Sequence, residues 1–207
     1  MNVMLWRQCW LFMMGSSFFA VATAPGFAVF ASATATNALC FVGSWFFTSA
    51  AAIQLLLSKP NAGGWESPSA RADWLSAAIQ LVGTLLFNVS TGAALLAHRV
   101  PAQRRFVWAP DAAGSVAFLV SGALAVVAVT LTVGVVGLQS RGWRAAWVNM
   151  VGCIAFGASA VGAFVKRTGI TDDALLANMG TFFGALCFLT AAYLLLPNRS
   201  TAAAVAA

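Results

Sequence analysis

The sequence predicts an all-α transmembrane fold: a six-helix bundle built from three tandem helical hairpins, which are parallel internal repeats. Three observations carry this expectation. Hydrophobic residues make up 61% of the chain and charged ones 8%, where a soluble domain carries about a quarter charged, so the chain cannot cover itself with a solvated surface. About six stretches reach the roughly 20 apolar residues needed to cross the hydrocarbon layer. Each stretch also holds one Gly-small-x-x-Phe motif: Gly15…Phe19, Gly43…Phe47, Gly83…Phe87, Gly114…Phe118, Gly152…Phe156 and Gly184…Phe188.

In chain order the expected spans are Trp6–Thr23, Asn37–Leu57, Asp73–Ala97, Pro110–Gly137, Trp143–Val165 and Ala174–Leu196. Breakers or charges bound each one: Pro25-Gly26, Lys59-Pro60, His98-Arg99, Ser140-Arg141-Gly142, Lys166-Arg167 and Pro197. The fourth span is the longest and is expected to tilt or project. The first has a rival reading as a secretory signal, because Arg7, an apolar run and Ala22-Thr23-Ala24 follow that pattern. Its copy of the repeat motif argues for a retained helix. Residues 1–207 thus read as a single membrane domain, with hairpins at about 6–57, 73–137 and 143–196. The Ala-rich tail 198–207 is expected to be flexible.

The spacing of the motif defines the repeat. Odd-numbered copies have their glycine at 15, 83 and 152, separated by 68 and 69 residues; even copies sit at 43, 114 and 184, separated by 71 and 70. The unit is a hairpin of about 70 residues. Trp6, Trp74 and Trp143 each fall nine residues before their glycine, about 13.5 Å along a helix. A tryptophan at the headgroup level would then put each odd glycine near mid-membrane. Tandem hairpins keep one orientation, so both termini are expected on the same side. The three units form either a closed ring or a row.

Gly and Phe at i and i+4 share a helix face, making a notch and a knob for neighbouring helices. In lipid, close approach at small residues drives association. Gly180…Gly184, Ala155…Ser159…Ala163, Ala117…Ser121…Ala125 and Thr84…Asn88…Gly92 extend these faces. Polar residues inside the spans are few. Gln80, Asn88 and Asn149, with Gln54, Asn178 and some Ser and Thr, are read as interhelical glue worth about 0.6 kcal/mol each. Alternatively, Gln80, Asn88 and Asn149 line a shared intramembrane polar pocket.

Other chemistry is missing from the sequence. No Lys, Arg, Asp or Glu falls mid-span, which argues against proton relays and ion-coupled transport. Asp73, Asp111, Asp172 and Asp173 sit at span ends, where helix N-termini favour carboxylates. A lone His98 offers no second haem ligand, and Cys9, Cys40, Cys153 and Cys187 have no metal or C-x-x-C spacing. Catalytic, metal and cofactor-binding residues are therefore read as none, and the chain as not an enzyme. Asn88-Val89-Ser90 is a glycosylation sequon placed mid-span, out of reach of a transferase. The net charge of +6 is spread over the connections. It predicts headgroup attraction and no nucleic-acid partner. Basic residues divide almost evenly between the two ends, so orientation is weakly specified.

Gly83-Thr84-Leu85-Leu86-Phe87-Asn88-Val89-Ser90-Thr91, Pro110-Asp111…Gly114-Ser115, Asn149…Gly152…Phe156-Gly157…Ser159 and Asn178…Gly180-Thr181…Gly184-Ala185-Leu186-Cys187-Phe188 together resemble actinobacterial integral membrane proteins of the YrhK-domain type. The resemblance implies a multi-pass protein of the bacterial cell membrane and brings no functional residues with it. Two function classes follow from the residues. One is a non-enzymatic accessory or organising subunit acting by helix–helix association, with other membrane subunits or further copies of itself as partners. The other is a carrier or binding protein for an uncharged or lipid-like small molecule in a cleft between hairpins.

Overall fold

The computed structural model describes residues 2–60 and 64–197; the expected tail 198–207 lies outside them. Six long helices occur among the described residues: α1 (Val3–Thr23), α2 (Ala33–Leu57), α3 (Pro68–Ala94), α4 (Ala109–Val133), α5 (Arg141–Gly162) and α6 (Ala174–Leu195). No strand occurs among the described residues, only an isolated antiparallel bridge between Val165 and Thr171. Five helices start on a polar cap whose side chain accepts from the backbone three residues on: Asn2, Ser32, Ser67, Ser140 and Asp173. Such caps satisfy one of the orphan amides of a first turn. α4 has none because helical backbone already precedes it, through Val100–Ala102 and a wider π-helical turn at Gln103–Trp108.

The boundaries depart from the sequence expectation where local chemistry overrides hydropathy. α3 begins five residues before Asp73, because Ser67 caps it and Pro68 fits the first turn. α4 stops at Val133 rather than Gly137, since Gly134 takes a φ of 90°, a conformation glycine adopts freely. At its other end the helical run extends back to Val100, making a continuous run of 34 residues. Five of the six helices are long and apolar enough to cross a membrane. The exception is α1, 21 residues long but diluted by Arg7, Gln8 and two serines.

The helices close into a ring. α1 packs against α2 and α6, and α2–α3, α3–α4, α4–α5 and α5–α6 are the remaining principal neighbours. Of the two arrangements the sequence left open, the row is excluded. Large apolar side chains such as Val82, Leu85, Val116, Ile154 and Phe183 face outward, while the interior is mostly Ala, Gly, Ser, Thr and Phe, with Cys9, Cys153 and a few amides. This inversion suits lipid, where no hydrophobic effect drives bulky residues inward and small ones let backbones approach.

The six motif glycines are all buried, and each receives its hairpin partner. A methyl carbon added to Gly83 would stand 2.6 Å from the Phe118 ring, and one on Gly114 2.6 Å from the Phe87 ring. Gly152 faces Phe188 and Gly184 faces Phe156, each at 2.7 Å. Gly15 faces Phe47 (3.2 Å) and Gly43 faces Phe19 (3.0 Å). The rings then converge on the ring axis. Phe19, Phe87 and Phe156, from the non-adjacent helices α1, α3 and α5, meet one another with centroids 5.8–6.3 Å apart. Phe188 lies 5.9 Å from both Phe47 and Phe118. These separations fall in the favoured range for edge-to-face pairs. A layer of phenylalanine therefore closes the middle of the bundle.

Candidate functional site

On the N-terminal side of that layer the ring encloses a cavity of about 540 Å³, within the usual range of small-molecule sites. All six helices contribute to its wall. α3 supplies Asp73, Ser76 and Gln80, at spacings that share one helix face. Gln8 comes from α1, Gln54 from α2, Ser121 from α4 and Asn149 from α5, with Phe188 of α6 at the floor. Asp73 is exposed, and no basic side chain lines the wall.

One part of the wall is fixed. The Ser76 hydroxyl donates to the Ser121 carbonyl (2.9 Å), and the Ser121 hydroxyl lies 2.9 Å from both the Ser76 carbonyl and Gln80 Oε1. The single Ser121 proton cannot serve both acceptors. Turning the Gln80 amide so that its nitrogen donates to Ser121 removes the conflict. In either orientation Ser121 holds one end of the amide and the other end has no protein partner. Asn149 has only a long contact to Cys153 Sγ (3.7 Å). Gln8 and Gln54 make no side-chain hydrogen bond among the described residues. Gln8 and Gln80 are buried and Gln54 and Asn149 half-buried, and none of the four has a fully buried unpaired atom, so their free ends face the cavity, where water or a solute can pair with them.

Of the three amides singled out in the sequence, Gln80 and Asn149 share this wall and Asn88 does not. Asn88 turns towards α2. With its nitrogen donating to the Ser44 carbonyl (3.0 Å), its oxygen accepts from Thr48 Oγ1 (2.9 Å), and Thr91 Oγ1 lies 3.1 Å from Ser44 Oγ on the same seam. That is the interhelical glue reading. Gln8, Ser76 and Ser121 were missed. A signal existed for the first two, which both fall seven residues before their motif glycine.

A second cavity, of about 220 Å³, opens beyond the phenylalanine layer at the other end of the ring. Asn37, Thr91, Trp108, Asp111, Asn178 and Thr181 line it. Here Asn37 Nδ2 donates to the Ala94 carbonyl (3.0 Å) and the Trp108 indole N–H to the Ala160 carbonyl (2.9 Å), so two neighbouring seams are tied in the same manner. Arg104 of the π-helical turn lies over the Phe164 ring and donates to the Val165 carbonyl (2.5 Å). Among the described residues no cluster of His, Cys, Asp and Glu is arranged to hold a metal, and the four cysteines are free. Set against known protein families, curated proteins and solved structures, the chain matches none.

Proposed function

We propose that this protein is a multi-pass membrane protein that binds or carries a small uncharged molecule in the axial cavity, with Gln80 and Asn149 as its principal hydrogen-bonding groups. In this reading three copies of one hairpin surround an approximate threefold axis, all six helices span, and both termini lie on one side of a bacterial cell membrane. The observation that carries the proposal is the spare hydrogen-bonding capacity of four amides facing one cavity of ligand size. Hydroxyls and aromatic carbons complete the wall, a mixture that suits a solute with both polar and apolar parts. The absence of a basic lining residue disfavours anions.

The other function class, association as an accessory subunit, loses its motive. The small-residue faces that suggested it are occupied inside the ring: Gly180 against Ser159, Gly184 against Phe156 and Gly92 against Phe41. Native mass spectrometry of the protein extracted in mild detergent tests the binding reading. A bound mass of a small uncharged molecule is expected, reduced at least tenfold in Gln80→Leu and Asn149→Leu. A protein that carries no such mass, and is not thermally stabilised by any member of a panel of uncharged amides and polyols, would count decisively against it.

A further inference from the structure

We propose that the two cavities are the two halves of one solute pathway along the ring axis, closed in this structure by the phenylalanine layer. The inference rests on the first cavity being a solute site, and it adds an exit. Individual helices show the geometry. α3 lines the first cavity with Ser76 and Gln80 and the second with Thr91, and Phe87 lies between them in sequence and in space. α4 does the same in reverse, with Asp111 on the second cavity, Phe118 in the layer and Ser121 on the first.

The lining on both sides is of one kind. Each cavity holds amides, hydroxyls and a single carboxylate, with no Lys, Arg or His. The layer between them is built of phenylalanine rings packed with Ala20, Ala185 and Cys153, and holds no charged side chain. An ion entering it would lose its hydration and find no counter-charge, and apolar constrictions of this type close by excluding water. An uncharged solute small enough for the 220 Å³ cavity, with hydroxyl or amide groups, pays far less to pass. The pathway is therefore assigned to small uncharged polar solutes, and the layer is its gate. Phe19, Phe87 and Phe156 meet directly on the axis, so they are the gating rings.

Stopped-flow light scattering on proteoliposomes, with glycerol and urea as probes, tests this. The Phe87→Ala/Phe156→Ala variant is expected to re-swell at least tenfold faster than empty vesicles. Wild type should lie between the two, and Val116→Ala on the outer face should match wild type. Phe156→Ser alone serves if the double variant does not elute as a folded protein. A folded gate variant no faster than empty vesicles for either probe overturns the pathway. The bound mass in native mass spectrometry separates the two readings. If it persists without flux, the pathway fails and the binding site stands. If flux appears with no bound mass, the pathway stands and high-affinity binding fails.

Discussion

Gly180 and Gly114 are both buried motif-face glycines, yet the atoms around them predict different tolerance. A methyl group at Gly114 would meet the edge of the Phe87 ring at 2.6 Å, a side chain that can shift. One at Gly180 would meet backbone, the Ala155 carbonyl at 2.7 Å and the Ser159 nitrogen at 2.8 Å, so two helices would have to separate. Overpacking costs typically ~1–3 kcal/mol. Gly180→Ala is expected at or above the top of that range and Gly114→Ala near its middle, read as the order of melting temperatures in detergent. Ser16 leads to the opposite expectation. Its hydroxyl is fully buried without a partner, while the residues in the same place after Gly83, Gly43 and Gly114 all find one: Thr84 donates to Leu81, Ser44 to Phe41 and Ser115 to Phe156. An unpaired buried hydroxyl costs roughly 1–3 kcal/mol, so Ser16→Ala should leave stability unchanged or raise it. A clear loss would mean that a buried water or solute partners Ser16.

At the scale of the element, polar side chains tie seams within hairpins, as Ser76 and Ser121 do, and also seams between them. Trp108, at the end of the π-helical turn that leads into α4, donates to the Ala160 carbonyl of α5, and its ring also meets Phe164 edge-on at a centroid distance of 4.9 Å. Trp108→Phe keeps most of the ring packing and removes the hydrogen bond, an expected loss of ~0.6 kcal/mol and at most about 2. Trp108→Ala should cost several times more; equal losses in the two variants would show that the bond contributes most of the seam's stability. By contrast, the Lys166–Asp172 pair (2.5 Å) is about half exposed on both sides. Lys166→Ala should cost under ~0.5 kcal/mol, as for most exposed pairs. The helices themselves were legible from hydropathy and the breakers between them, while the ends set locally by Ser67-Pro68 and Gly134 were not. Half of the candidate site was legible too. Gln80 and Asn149 both stand three residues before their motif glycine and share a wall. Asn88 lies eight residues past Gln80, about 12 Å along the helix, beyond Phe87, so register alone places it away from that wall. Ser121 was hidden for a different reason. Its role comes from antiparallel pairing with Ser76 across a hairpin, and the sequence of either helix alone does not give that register.

For the whole molecule, the property that matters most is that α1 returns to α6. Hydropathy carries no trace of it, because closure depends on crossing angles accumulated over five earlier seams. A closed ring has two ends and one axis, and this gives a prediction that a row of hairpins would not. Gln54 lines the first cavity and Asn178 the second, and the phenylalanine layer lies between them. In a cysteine-free background, Gln54→Cys and Asn178→Cys should react with a membrane-impermeant maleimide from opposite sides of a sealed vesicle. Adding glycerol should not transfer reactivity from one side to the other while the layer is intact. Opening the layer with Phe87→Ala/Phe156→Ala should let a small permeable thiol reagent applied on one side reach both positions at similar rates. Labelling of both cysteines from the same side with the phenylalanines in place would be incompatible with a closed axial layer, and the six-helix ring would then need at least one helix lying outside the membrane. α1 is the candidate for that, as the one long helix that lacks the hydropathy of a span, so a third cysteine at Asn2 fixes the outcome. It should label from the same side as Gln54→Cys if α1 crosses with the others.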